Sequence, residues 1–366
     1  MRKLEDGTSQ PLTRMATSVR SPVLNTPLQL GHPFMNTSTL KPLALFFILL
    51  APSILYPQLM DVRHGQHEGL FVVVVNEKSG YINSRGEITI FPQFDAADDF
   101  SEGLAAVKLN GKWGYINPSG NFVIKPTFEE IQGWHFANGL ACVVVQRKTG
   151  FIDKTGRIVI APQFDAPAYF SEGYAYVQWK DESGYIGTDR QLIWKGYGRS
   201  FSEGLAAVDT EHGTGFINGK GEVVIEAKFD AAREFSEGLA AVMKDDKWGY
   251  IDKTGALKIA FRFDDAFDFS EGLAVVRENG SHKFIDKSGA ETMPQEFSAL
   301  SSFRDGLAAV RQGDRVGFID KNGNMVIPAR FNQAYPFSEG LAWVKTGDQW
   351  SYIDQTGRVI WSGTRP

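Results

Sequence analysis

The chain has 366 residues and a formal net charge of −5, with 22% charged and 43% apolar residues. That balance excludes a basic nucleic-acid surface and a generally disordered chain, because a core can be built and no cationic excess exists. Cys142 is the only cysteine, which excludes an intramolecular disulfide, a multi-cysteine zinc site and an iron–sulfur cluster.

Residues 1–40 are rich in Ser, Thr and Pro and lack hydrophobic periodicity, so they are expected to be disordered or to precede the true start. The next segment, residues 41–60, contains a run from Leu43 to Tyr56 that is almost entirely apolar. It falls short of the roughly 20 residues a membrane-spanning helix needs and matches the apolar region of a signal peptide. Starting at Met35 gives an ordinary signal sequence, with Lys41 ahead of the run. No clear cleavage site follows, so an uncleaved anchor through Met60 is the alternative. Either way the remainder is expected to be exported, to the periplasm or the exterior, or held at a membrane by this segment alone.

From residue 67 to residue 366 the sequence repeats. Gly69, Gly103, Gly139, Gly173, Gly204, Gly238, Gly272, Gly306 and Gly340 are separated by 34, 36, 34, 31, 34, 34, 34 and 34 residues. A period of this length marks a solenoid, a propeller or a related array. We number the nine units by these glycines. Unit 2 reads Leu104 to Leu109 as a small, apolar first strand, then a turn, then Trp113-Gly-Tyr-Ile116 as a second strand. Gly occupies the Gly114 position in seven units; Lys283 and Ser351 are the exceptions. Without a Cβ it admits a close neighbour. Asn117-Pro-Ser-Gly120 is a hairpin signal, and Phe122-Val-Ile124 is the third strand. A linker of the form Phe-Asp-x-Ala-x-x-Phe-Ser-Glu-Gly leads to the next unit, as in Phe229 to Gly238. Its two Phe residues are expected to wedge between successive sheets. One unit buries too few side chains to offset its own ordering entropy, so the copies must stack.

The Lys112-Trp-Gly-Tyr-Ile and Lys247-Trp-Gly-Tyr-Ile-Asp cores, with Val159-Ile-Ala-Pro-Gln-Phe-Asp165, resemble the WG-repeat (KWG) family of bacterial proteins over about residues 67–361. The resemblance implies a β-rich repeat scaffold, sometimes found beside a catalytic domain in secreted effectors. Only Trp113, Trp248 and Trp350 supply the family's Trp. The expected fold is all-β, nine three-stranded units in an open superhelix. A propeller-like closed ring, or two half-rings, is the alternative. No split unit is visible that would lock a ring shut.

Chemical motifs are scarce. A Glu precedes the recurring Gly at Glu68, Glu102, Glu172, Glu203, Glu237, Glu271 and Glu339. Seven identical catalytic acids are not needed, so these are read as turn residues bonding local N–H groups. Asp153, Asp252, Asp286, Asp320 and Asp354 are read as hairpin-turn residues in the same way. The six histidines show no metal-ligand spacing, and neither a nucleophile elbow nor a phosphate loop occurs. No catalytic residue, metal or cofactor is expected.

Function tends to sit where a repeat breaks its own rule. Unit 2 carries an insertion within Ile131 to Asn138 that includes Trp134, and unit 4 is irregular at 184–200. Trp179, Trp194, Lys195, Tyr197 and Arg199, together with Trp134, are the candidate ligand-binding residues, since aromatic and basic groups suit a sugar ring or a peptide. The competing reading makes this stretch a joint between units 1–4 and 5–9. The functional expectation is a non-enzymatic binding or scaffold protein of the cell envelope that meets protein or polysaccharide, not nucleic acid. A secreted effector, or an enzyme with a site assembled between repeats from residues such as Asp189, Arg190 and His135, is the alternative.

Overall fold

The computed structural model describes residues 68–131, 135–293, 297 and 301–363. The expectations for residues 1–40 and 41–60, and the site candidate Trp134, lie outside the described residues.

Blade 2 shows how each unit folds. Ala96–Ser101, Leu104–Leu109, Lys112–Ile116 and Phe122–Phe128 form one antiparallel sheet in that order. The linker is thus itself a strand, and belongs to the unit that follows it. The cause is local: Glu102 (φ 51°) and Gly103 (φ 84°) both sit at positive φ and make a two-residue turn. Such a turn matches strand twist and folds the linker back onto the first strand. Among the described residues there are nine sheets, four with four strands and five with three. In blades 3, 5 and 8 the linker contributes only isolated bridges, such as Ser202 to Leu205. No helix occurs among the described residues.

The glycine of the second strand has a specific steric cause. The third strand bulges as it passes, shifting register between the Tyr115–Ile124 and Trp113–Phe128 pairs. A Cβ on Gly114 would lie 2.5 Å from the Ile124 carbonyl oxygen and 2.7 Å from the Pro126 nitrogen. The exception in blade 9 follows from the same geometry. In blade 7, Lys283 reaches Glu278 and Glu291 at 3.4 and 3.1 Å. In blade 9 the third strand stays in register past Ser351, which pairs with Ser362.

The hydrophobic cores lie between blades. One cluster joins Leu104, Ala106, Tyr115 and Ile124 of blade 2 to Phe136, Ala141, Val143 and Ile152 of blade 3. The last Phe of each linker (Phe100, Phe136, Phe170, Phe201, Phe235, Phe269, Phe303 and Phe337) is buried in such an interface. Both linker Phe residues act as the expected wedges, as Phe94 and Phe100 do in one cluster. A blade alone exposes both halves of its core, which is why the copies depend on one another.

The Glu-Gly ladder differs from its expected role. Its carboxylates do not bond local N–H groups; each crosses to the next blade. Glu68 accepts from Gly103 N (2.7 Å), Glu102 from Gly139 N (2.9 Å), Glu172 from Gly204 N (2.7 Å) and Glu203 from Gly238 N (3.0 Å). Glu237, Glu271 and Asp305 continue the series to Gly272, Gly306 and Gly340, and Asn138 takes the same part towards Gly173. Glu339 of the last blade then accepts from Gly69 N of the first at 2.7 Å. Tyr352 donates to the Val72 carbonyl at 3.2 Å, and Leu341 and Tyr352 share a core with Phe71, Val73 and Ile82.

The chain closes on itself. Of the two expected arrangements the ring is the one found, and the open superhelix is not. A split blade is unnecessary because the seam reuses the contacts that join every other pair. The proposed division into units 1–4 and 5–9 is also absent from this ladder, since Glu172 bridges blades 4 and 5 like its counterparts. Lysines reinforce four rungs: Lys154, Lys253, Lys287 and Lys321 meet Glu102, Glu203, Glu237 and Glu271 at 3.2, 3.1, 3.2 and 3.0 Å.

Candidate binding site at the inner rim

Each four-stranded sheet has two edges, the linker strand and the third strand. Third strands alternate exposed and buried residues and carry most of the exposed large apolar side chains, including Phe91, Val123, Val223 and Val359. Equivalent linker residues of neighbouring blades touch instead. Ser101 Oγ donates to the Phe136 carbonyl (2.8 Å), His135 lies 6.4 Å from the Tyr169 ring, and the Tyr169 and Ser200 hydroxyls are 2.8 Å apart. Radiating sheets approach most closely near their axis, so the linkers form the inner rim.

The variable position just before the buried Phe lies on this rim. Just before the buried Phe stand Asp99, His135, Tyr169, Ser200, Glu234, Asp268, Ser302 and Pro336, with no two neighbours alike. The Glu ladder repeats; this position does not.

The rim of blades 4–6 holds a half-open cavity of about 330 Å³, lined by Tyr169, Tyr174, Tyr176, Arg199, Ser200 and Glu234 with Pro167, Ala168 and Gly198. Its origin is legible in the chain. Tyr174 and Tyr176 occupy the slots that hold Leu104 and Ala106 in blade 2, on the face turned towards blade 5. The passage from blade 4 to blade 5 is three residues shorter than usual, so the linker starts at once beyond Lys195. Tyr174 packs on Phe201 (4.4 Å) and Tyr176 on Tyr185 (5.5 Å), which fixes both rings at the wall. Gly198 is required here: a Cβ would fall 2.1 Å from the Tyr185 hydroxyl and 2.8 Å from the Ala207 carbonyl.

Electrostatically the wall holds one cation and one anion. Arg199 is exposed, its backbone N–H donates to the Ala207 carbonyl at 2.9 Å, and its own carbonyl accepts from Tyr185. Its guanidinium makes no ion pair among the described residues. Tyr185 beneath the cavity is held well above the usual phenol range by burial, with Tyr176, Asp209 and Glu234 adding to the effect and Arg199 opposing it. That phenol stays protonated and serves as a donor.

Comparison with known proteins decides the family. The model of the WG containing repeat matches seven times, over residues 80–113, 113–148, 150–182, 215–248, 248–281, 284–315 and 317–350. The chain belongs to the WG-repeat family. No curated protein matches it. Among solved structures, a eukaryotic initiation factor is similar at a TM-score of 0.57 and 12% identity, covering 80% of this chain and 95% of that one. The dihydro-heme d1 dehydrogenase NirN in complex with DHE is similar at 0.45 and 13%, covering 82% and 74%. BamB from Moraxella catarrhalis gives 0.37 and 11%, covering 81% and 94%. The first of these supports the propeller-like fold and nothing more.

Within this WG-repeat ring the candidate residues from the sequence do not assemble into one site. Trp179 and Lys195 converge on Glu182, at 3.1 and 2.6 Å, at the hairpin end of blade 4. Trp194 packs into the joint with Tyr185 and Phe201. Tyr197 is 66% exposed and does not line the cavity. Arg199 alone reaches it. Sequence adjacency misled because strands alternate sides and a linker belongs to the blade after it. Tyr169, Tyr176, Ser200 and Glu234 were missed; their signal was a variable position inside an otherwise fixed repeat. Asp189 caps its own turn at Gln191 N (3.0 Å), and Arg190 reaches the Val159 carbonyl, so neither converges with His135. Among the described residues no group of three or more His, Cys, Asp or Glu could hold a metal ion.

Proposed function

We propose that this WG-repeat protein is a non-enzymatic binding module of the cell envelope, exported by the segment at residues 41–60, which takes its ligand at the inner rim. The observation that carries this reading is the segregation of constant from variable residues. Constant positions are engaged in blade-to-blade bonds, such as the Glu68–Gly103 and Ser236–Phe269 contacts. Variable positions gather on the rim, and the largest departure from the repeat coincides with the cavity. A scaffold whose contacts are already spent on assembly reads a partner with what remains. Protein and polysaccharide are the two partner classes that fit.

The test is a glycan array combined with capture from envelope extracts, using the wild type and Tyr176→Ala. Retained ligand that is lost on substitution, with the melting transition still cooperative, supports the reading. Capture that is indifferent to the cavity, or turnover of hydrolase substrates by the protein, overturns it.

A further inference from the structure

Resting on that binding role, we infer that the cavity of blades 4–6 takes one residue of an acidic polysaccharide: a pyranose ring bearing a carboxylate. Four features of the wall point the same way. First, Arg199 is the one cation among the lining residues, and its guanidinium has no ion pair among the described residues, so a carboxylate supplied from outside completes a bidentate pair. Second, Tyr169 is 52% exposed at the cavity and offers a ring to a pyranose, beside Tyr174 and Tyr176, which are held in the wall by Phe201 and Tyr185.

Third, the lining is rich in hydroxyls. Tyr169 and Ser200 already share a hydrogen bond at 2.8 Å, and each keeps capacity for another, matching a polyhydroxylated ligand. Glu234, also in the lining, is acceptor-only and matches sugar hydroxyls. Fourth, the size is right. A volume of about 330 Å³ stands near the bottom of the range of roughly 300–1,000 Å³ for small-ligand sites, room for a sugar ring rather than a protein surface.

Titration calorimetry and saturation-transfer NMR on the full chain, with galacturonate and glucuronate trisaccharides, a neutral glucose trisaccharide and glycylglycine as probes, test this. We expect a uronate to bind about tenfold or more tighter than the neutral sugar, and Arg199→Gln to erase that margin. Arg199→Lys should retain part of it, and added salt should weaken uronate binding. Because Arg199 is exposed, the Gln variant should keep the wild-type melting temperature, so loss of binding is not loss of fold. Equal binding of the neutral sugar, tighter binding of glycylglycine, a margin that survives Arg199→Gln, or no uronate response at millimolar concentration would each overturn the inference. Where another ligand still responds to Tyr176→Ala, the binding role stands and only the acidic sugar falls. Where nothing responds to any cavity variant, both fall.

Discussion

Two joints of the ring carry large aromatic residues where blades 2, 5, 6 and 8 have Leu-Ala-Ala-Val, and they have opposite outcomes. At the seam, Trp343 fills the slot of Ala106 in blade 9, stacks on Trp350 (5.7 Å, 5°) and packs on Tyr352 (4.3 Å). Phe71 of blade 1 meets Tyr352 edge-on at 5.5 Å, and Trp361 and Ile360 complete a filled core. Between blades 4 and 5, Tyr176 fills the same slot, yet a cavity remains beside it. Extra ring volume closes a joint when the third strand runs on alongside as far as the Trp350–Gly363 pair, as in blade 9. It leaves a space at the rim when the connection is cut short, as after blade 4. The seam spends its aromatics on closure, whereas the other joint keeps them on display.

Truncation should separate the two most clearly. Tyr352→Ala removes a ring from the filled core and the hydrogen bond to Val72, so we expect a loss of about 3–5 kcal/mol in denaturant unfolding. Tyr176→Ala, beside an existing space, should cost less than half of that. Equal costs would mean that the cavity wall is as tightly packed as the seam.

The second-strand glycine gives a sharper, smaller contrast. A Cβ on Gly184 would fall 2.2 Å from the Trp194 carbonyl, which is backbone and cannot swing away. Gly184→Ser should therefore destabilise by about 1–3 kcal/mol, whereas Ser351→Ala in blade 9 should stay within about 0.5 kcal/mol. A harmless Gly184→Ser in thermal unfolding would show that the strand bearing the Trp194 carbonyl is not fixed.

Acid should act on blade 9 and spare the corresponding turn of blade 4. Burial alone would raise the Asp354 carboxyl, but hydrogen bonds from Thr356 and Arg358 hold it below the usual carboxylate range. The same position in blade 4 is Gly187, which carries no carboxyl. A depressed folded-state pKa contributes stability above the unfolded value, near 3.9, and loses it as pH falls towards the folded one. Asp354→Asn should thus lower stability at pH 7 and narrow the gap to wild type below about pH 4 in a pH series of melts. A gap that stays constant with pH would remove the carboxylate from the account.

Much of this architecture was legible beforehand because it is periodic. The all-β units, the hairpin at Asn117 to Gly120 and the wedging Phe pairs each follow from local spacing, and the structure reproduces them. The linker strand was less visible: in Phe229 to Gly238 the decisive feature is the positive φ of Glu237 and Gly238, which a motif of Ser-Glu-Gly only hints at. The site was the least legible part. Trp179, Trp194, Lys195 and Tyr197 are neighbours along the chain but face different ways, while Arg199 and Glu234 are brought to one rim from different blades.

By itself the sequence determined the unit: its length, its strands, its turns and the fact that one copy could not stand alone. Those are short-range matters of side-chain alternation, backbone conformation and burial, and they recur wherever the pattern recurs. Only the tertiary structure decided that nine units close into a ring, that the repeated carboxylates act between blades, and which variable residues share a cavity. The physical reason is that small per-unit rotations accumulate around the array, so closure and the meeting of distant linkers depend on the sum of nine interfaces and on no single one.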